Sequence, residues 1–167
     1  VLGLEETRQE YQEIADRQWR AVKEEYFTST GRCAVKTQTG LILALKYHLS
    51  ENEELTKQMM KKLLRDNKNK LNTGFVGTPL LCNVLTDHGM TDAAYRLLLN
   101  EEYPGWLYEV KLGATTVWER WNSLDENGHV SSTGMNSLNH YSYGAVLEWI
   151  FCHAAGIDVT EQSPGGR

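Results

Sequence analysis

Residues 78–100, TPLLCNVLTDHGMTDAAYRLLLN, have the pattern of a helical hairpin. Thr78 followed by Pro79 is typical of a helix N-cap with proline at the first helical position. Gly89 predicts the end of that helix, because glycine adopts the left-handed conformation that often closes helices. Thr91 predicts the N-cap of a second helix, which runs to about the end of the stretch. The stretch therefore predicts two short helices joined by a tight turn.

Helical patterns also precede this hairpin. Residues 4–27 predict one long helix, because their apolar side chains recur every three or four residues. These side chains are Tyr11, Ile14, Ala15, Trp19, Val22 and Tyr26. A second helix is predicted through residues 41–47. The sequence Ser50-Glu51-Asn52-Glu53 has the spacing of a capping box, which predicts the start of a third.

Helices are also predicted after the hairpin, separated by longer loops. Thr115-Thr116 predicts the start of a short helix, and residues 139–155 predict a final one that ends at Gly156. Residues 122–135 are rich in Gly, Ser and Asn and predict a long loop. Because no segment alternates like a strand, we expect an all-α fold of stacked helical hairpins, either a barrel or an α-solenoid. The lack of a repeat at a fixed period weakens the solenoid interpretation.

Composition narrows the classes of function. The net charge of −5 argues against a nucleic-acid-binding surface, which needs clustered Lys and Arg. No apolar run approaches the roughly 20 residues of a membrane span. The five histidines have no metal-ligand spacing and the three cysteines form no C-x-x-C motif, so no metal site is predicted.

Aromatic and polar residues concentrate between residues 106 and 143. Sugar-binding sites need this mixture, because flat rings cover the C–H faces of a sugar while carboxylate, amide and imidazole groups bind its hydroxyls. The alternative is that the rings form core and the polar groups cap helices or face solvent. Trp106, which the pattern places in a loop, is the better candidate for stacking on a sugar. Trp118 and Trp121 share a helical face and are predicted to pack, and Glu109 is predicted to be a polar rim residue or simply exposed.

Four stretches resemble motifs of one enzyme family. They are Thr37-Gln-Thr-Gly40, Thr73-Gly-Phe-Val-Gly-Thr-Pro79, Tyr103-Pro-Gly-Trp106 with Gly113-Ala-Thr-Thr-Val-Trp-Glu-Arg-Trp121, and Ser137-Leu-Asn-His-Tyr-Ser-Tyr-Gly144. In this order and spacing they resemble the α-L-rhamnosidases of glycoside hydrolase family 78. Asn122 stands where that family commonly has Asp.

The resemblance implies an (α/α)6 barrel of the six-hairpin glycosidase type and hydrolysis of terminal α-linked L-rhamnose with inversion, without a cofactor. Glu119 matches the general base of the family, and His140 matches a residue that contacts the bound sugar. Residues 1–157 would be part of the catalytic barrel, and residues 158–167 a tail toward a C-terminal β domain. No segment resembles the one that supplies the general acid, so we expect this chain alone to be inactive.

Three alternatives remain open. A non-catalytic helical binding module would present one continuous face to a partner. Another α/α-barrel enzyme such as a polysaccharide lyase would use a Tyr or His base near an Arg, and His140 and Tyr141 are compatible with this. Glu119 has capping-box spacing from Thr116, so the third alternative is that its role is limited to capping a helix.

A partial barrel would leave apolar faces uncovered, which predicts self-association of the chain.

Overall fold

The computed structural model describes residues 3–131 and 134–158 of the chain. Its α-helices are α1 (Glu5–Tyr26), α2 (Gln38–Lys46), α3 (Glu53–Asp66), α4 (Thr78–Asp87), α5 (Thr91–Leu98), α6 (Trp106–Lys111) and α7 (Val146–Trp149). A 3-10 helix (Ser142–Ala145) precedes α7 and a π-helix (Ile150–Ala154) follows it. The described residues form no strand, and their β-bridges are two isolated ones, between Phe27 and Cys33 and between Leu124 and Val130. The prediction of an all-α fold is confirmed.

The predicted hairpin forms as α4 and α5, with each cap shifted by one residue. Gly77 and Met90 are the N-cap residues, so Thr78 and Thr91 are the first residues of their helices rather than caps. The Thr78 hydroxyl is instead hydrogen-bonded to that of Thr73, at 2.7 Å. Gly89 ends the hairpin's first helix with a φ of +73°, the left-handed conformation expected of it.

The start of α3 also differs from its prediction. Asn52 is the N-cap, because its Oδ1 accepts a hydrogen bond from the Leu55 N–H at 3.0 Å. Ser50 lies outside the helix, where its hydroxyl donates to the Gly31 carbonyl at 2.8 Å. The predicted capping box was therefore wrong, because a more distant backbone carbonyl takes the Ser50 hydroxyl.

The core lies between α2, α3, α4, α5 and the C-terminal helical segment. Helix α2 packs against α3 and α4, and α4 packs against α5, the 3-10 helix and α7. The fully buried side chains include Ile42, Leu45, Met60, Leu81, Leu85, Leu97 and Trp149. Trp149 fixes the last helical turns to the hairpin, since its Nε1 donates to the Thr86 hydroxyl at 2.8 Å. The edge of its ring also meets Tyr95, with ring centroids 4.9 Å apart.

Helix α1 forms as predicted but buries none of its residues. It is held near its C-terminal end, where Trp19 Nε1 donates to the His48 carbonyl and Lys23 pairs with Glu51. Tyr11 and Ile14, on the predicted apolar stripe, are exposed. The N-terminal part of the stripe is therefore apolar surface that the described residues leave exposed, whereas Trp19 and Val22 are half-buried.

The C-terminal half departs most from the prediction. Residues 115–121 are bends, irregular backbone and the start of a turn, so the helix predicted from Thr115-Thr116 was wrong. Trp106 begins α6 rather than lying in a loop. The last helical region starts at Ser142 instead of residue 139 and passes through 3-10, α and π turns. The predicted tail, apart from Asp158, lies outside the described residues.

Among the helices of the described ranges, none has the length and apolar character needed to cross a membrane.

Candidate active site

Two extended segments of the C-terminal half pair with each other and bring Glu119 near His140. The His140 N–H donates to the Val117 carbonyl at 2.7 Å, and the Glu119 N–H donates to the Ser137 carbonyl at 2.9 Å. The Thr116 hydroxyl adds a third bond, to the Leu138 carbonyl. These bonds join residues about 20 positions apart in the sequence and explain why residues 116–119 are not helical. The cap that Thr116 and Glu119 could have formed does not exist, because no helix begins there.

A second set of bonds closes the loop that follows Glu119. Ser123 is fully buried, and its hydroxyl donates to Asn136 Oδ1 at 2.6 Å while accepting from the Arg120 N–H at 3.1 Å. The Asn136 side-chain amide returns a bond to the Ser123 carbonyl at 3.0 Å. The long loop predicted for residues 122–135 is thus tied at its base, which holds the segment around Glu119 in place.

Stacked aromatic rings lie beneath this site. Trp121 stacks on Tyr143 with centroids 3.9 Å apart and 4° between the ring planes, and Trp106 meets the edge of Trp121 at 5.3 Å. Trp121 Nε1 donates to the Thr73 carbonyl and Trp106 Nε1 to the Tyr143 carbonyl, at 3.0 and 2.9 Å. Both tryptophans are 8% exposed. Burial of Trp121 agrees with its predicted packing role, although the helical face assumed for it does not exist.

Trp106 was predicted to stack on a sugar, and its surroundings argue against that role. Its ring packs on Trp121, and its N–H is used in the bond to Tyr143. The prediction placed Trp106 in a loop, whereas Trp106 starts α6 with its side chain turned into the core. A sugar could reach so little of this ring that we do not assign Trp106 to binding.

A second group of rings is accessible and surrounds His140. The imidazole lies between Phe75 and Tyr141, nearly parallel to both, with centroids 4.7 and 5.2 Å away. Phe75 is 44% exposed and Tyr141 is 86% exposed. We call Phe75, His140 and Tyr141 the aromatic platform. Sequence reasoning did not select Phe75 and considered Tyr141 only as a base of the alternative lyase, although both lie inside the matched motifs.

The turn that carries Phe75 is set by close backbone approach. A Cβ atom on Gly77 would collide with the Thr39 hydroxyl and lie 3.0 Å from Thr73 Cγ2. Only glycine fits there without movement of its neighbours. The motif at residues 37–40 therefore packs against the motif at residues 73–79, and together they hold Phe75 against His140.

The hydrogen bonding of His140 determines which of its nitrogens can donate. Nδ1 accepts from the Ser142 N–H at 3.2 Å. A neutral imidazole has one donor and one acceptor nitrogen, so its proton is then on Nε2. His140 thus offers an N–H donor at the end of the ring away from its own backbone, which suits a contact with a hydroxyl.

The prediction that Glu109 is a polar rim residue or simply exposed was wrong. It is 3% exposed, and burial raises the pKa of its carboxyl to about 7. Oε2 accepts from the Trp118 N–H at 3.4 Å, and Oε1 has no hydrogen-bond partner among the described residues. Its position three residues after Trp106 would have indicated burial if α6 had been predicted, because such residues share a helical face.

Among the described residues, no group of three or more His, Cys, Asp or Glu side chains is placed to hold a metal ion.

The chain matches a known glycosidase family over most of its length. The model of the bacterial alpha-L-rhamnosidase 6 hairpin glycosidase domain matches residues 1–154. An alpha-L-rhamnosidase of Formosa agariphila is 41% identical over 160 residues, covering 94% of this chain and 17% of that protein. One from Streptomyces avermitilis is 39% identical over 149 residues, covering 88% of this chain and 14% of that protein.

Solved structures agree with these sequence matches. The crystal structure of native alpha-L-rhamnosidase from Aspergillus terreus superposes with a TM-score of 0.92 at 35% identity, covering 98% of this chain and 19% of that one. The Streptomyces avermitilis enzyme complexed with L-rhamnose gives a TM-score of 0.85 at 38% identity, covering 90% of this chain and 15% of that one. The chain thus spans less than a fifth of the length of these relatives, and its helices form part of an all-α six-hairpin barrel.

Proposed function

Because the chain belongs to the bacterial α-L-rhamnosidase six-hairpin glycosidase family, we propose that it acts within a longer inverting α-L-rhamnosidase. In this proposal it supplies the general base and part of the sugar-binding surface. The observation that carries the proposal is the backbone pairing of residues 117–119 with 137–140, which places Glu119 and His140 on adjacent segments. The substrates would be glycosides with a terminal α-linked L-rhamnose.

Glu119 is assigned the general base. Inversion requires one carboxylate that activates water and one carboxylic acid that protonates the leaving oxygen, about 6.5–9.5 Å apart. The Glu119 side chain is partly exposed, and the backbone on both sides of it is held by hydrogen bonds. A partly exposed carboxyl can reach water, and a fixed backbone limits the directions in which that carboxyl can point.

Glu109 is not assigned the general acid, even though a pKa of about 7 would suit that role. Its carboxyl is enclosed beneath the Trp118 backbone and is 3% exposed, so it cannot reach a glycosidic oxygen. The proposal therefore takes the acid from another part of the longer enzyme.

His140 and the rest of the aromatic platform are assigned to sugar binding. A rhamnose ring has an apolar face that an aromatic ring can cover and hydroxyls that an N–H can bind. Phe75 and Tyr141 offer ring surface on either side of the imidazole, whose Nε2 is the donor. This combination supports the role that the family resemblance implies for His140.

The proposal is tested by the first product of the full-length enzyme. Hydrolysis of an aryl α-L-rhamnoside, followed by proton NMR, is expected to show β-L-rhamnose before mutarotation equilibrates the anomers. Initial α-L-rhamnose would contradict inversion and the role of Glu119 as a base. An unsaturated sugar would indicate a lyase. The absence of any product would favour a binding module. The relatives named above support neither alternative.

We also propose that the 167-residue chain self-associates through α1. Tyr11 and Ile14 of the apolar stripe of α1 are exposed, and large uncovered apolar surfaces usually find a partner. A symmetric dimer is the simplest arrangement. Analytical ultracentrifugation is expected to show a dimer that Ile14→Ser weakens and that the matched exposed polar change Gln18→Ser leaves intact. A monomer at high concentration, or equal effects of both changes, would contradict this interface.

A further inference from the structure

Glu109 contacts both ends of the segment that leads to Glu119. Its backbone carbonyl accepts from the Ala114 N–H at 3.0 Å, just after α6 ends. Its side-chain Oε2 accepts from the Trp118 N–H at 3.4 Å, one residue before Glu119. A single residue therefore anchors residues 114–118 where they leave α6 and where they reach the proposed base.

This arrangement is costly for stability. A buried carboxyl loses its hydration, and the loss is recovered only when its oxygens find partners. In Glu109 one oxygen has one long hydrogen bond and the other has none. Buried polar atoms without partners are uncommon in native proteins, so each one needs an explanation. A hydrocarbon side chain of similar size would fill the same space without this cost.

The explanation lies with the Trp118 N–H. Residues 115–121 form no helix, so this amide cannot bond within a regular element. Trp118 is 2% exposed, which leaves its backbone little access to solvent. The Glu109 carboxyl is the acceptor that the structure gives this amide. Loss of that acceptor would leave a buried amide unpaired next to Glu119.

We infer that Glu109 is a positioning residue for the reaction: its carboxyl holds the Trp118 amide and thereby directs the Glu119 side chain toward the attacking water. The inference rests on the proposed role of Glu119. Glu109 itself touches no substrate. Its effect is large because displacement of a catalytic group by about 1 Å can lower the rate by about 100-fold.

The test compares two substitutions in the full-length enzyme. Glu109→Met keeps the length of the side chain and removes the acceptor. Glu109→Gln keeps a carbonyl oxygen that can accept from Trp118. We expect Glu109→Met to lower kcat on an aryl α-L-rhamnoside by about 10- to 100-fold with KM changed less than about threefold. Glu109→Gln is expected to keep kcat within about threefold of the wild type.

A local measurement separates positioning from a general loss of structure. Hydrogen exchange, resolved at the Trp118 amide, is expected to be slow in the wild type and in Glu109→Gln, and fast in Glu109→Met. Amides of α4 and α5 should keep their protection in all three proteins. The matched control is Glu101→Met, because Glu101 is an exposed glutamate shortly before α6. It should change neither kcat nor the exchange of Trp118.

Several results would overturn the inference. They are wild-type kcat in Glu109→Met, an equal loss of kcat in Glu109→Met and Glu109→Gln, and an unprotected Trp118 amide in the wild type. The exchange of the Trp118 amide in the wild type can be measured even if Glu109→Met does not fold. If the proposed function is wrong, the pattern is different: Glu119→Gln keeps normal turnover, whatever the kcat of the Glu109 variants.

Discussion

Replacement of Glu119 by glutamine is expected to lower kcat of the full-length enzyme by about 100- to 10,000-fold. Glutamine has nearly the same shape as glutamate but cannot take a proton from the attacking water. Steady-state kinetics on an aryl α-L-rhamnoside measure the loss. KM should change much less, because the substitution removes an interaction that matters in the transition state.

The melting temperature separates this role from a structural one. Since no helix begins at Thr116, Glu119 caps nothing, and its partly exposed side chain contributes little to the core. Glu119→Gln should therefore melt close to the wild-type temperature. Glu126→Gln, a matched change at an exposed glutamate in the loop that follows, should alter neither quantity. Near-normal turnover by Glu119→Gln would remove Glu119 from the mechanism.

The largest effect on stability is expected from Trp149→Ala. Trp149 is fully buried, donates to the Thr86 hydroxyl and makes a T-shaped ring contact with Tyr95. Truncation would leave a cavity between α4, α5 and α7 and an unpaired hydroxyl at Thr86. Substitutions of this kind cost about 3–5 kcal/mol, and whole domains are stable by only about 5–15 kcal/mol.

Urea unfolding of the 167-residue chain measures this cost. Chain concentration must be held constant, because the stability of a self-associating protein depends on it. Trp149→Phe keeps a ring but loses the N–H, so its destabilisation should be smaller. Leu147→Ala, a change at the exposed position 147 of the same helix, should stay within about 0.5 kcal/mol of the wild type. If Trp149→Ala were as stable as Leu147→Ala, the core described around Trp149 would be wrong.

Local sequence patterns were sufficient where hydrogen bonds are local. The hairpin of α4 and α5 was predicted because Gly89, Pro79 and the apolar spacing act within a few residues of each other. The all-α class followed in the same way. The family resemblance was also carried by the sequence alone, because it depends on the order and spacing of short motifs that include Glu119 and His140.

Tertiary structure decided the backbone around Glu119. Thr115-Thr116 resembles a helix start, but the Glu119 amide donates to Ser137 and the Thr116 hydroxyl to Leu138, both far along the chain. Long-range hydrogen bonds of this kind replace the local ones that a helix would make, and no local pattern predicts them. Ser50 illustrates the same effect, because its hydroxyl donates to the distant Gly31 carbonyl and accepts from the Asn52 N–H, while Asn52 takes the N-cap position of α3.

Tertiary structure also decided which side chains are buried. Trp106 and Glu109 were predicted to be accessible, but α6 turns both into the core against Trp121 and the Trp118 amide. Phe75 stacks on His140 because Gly77 lets its turn approach Thr39. The sequence by itself determined the helices α1 to α5, the family and the candidates Glu119 and His140. Packing alone determined what surrounds them, because burial depends on contacts between residues that are distant in the chain.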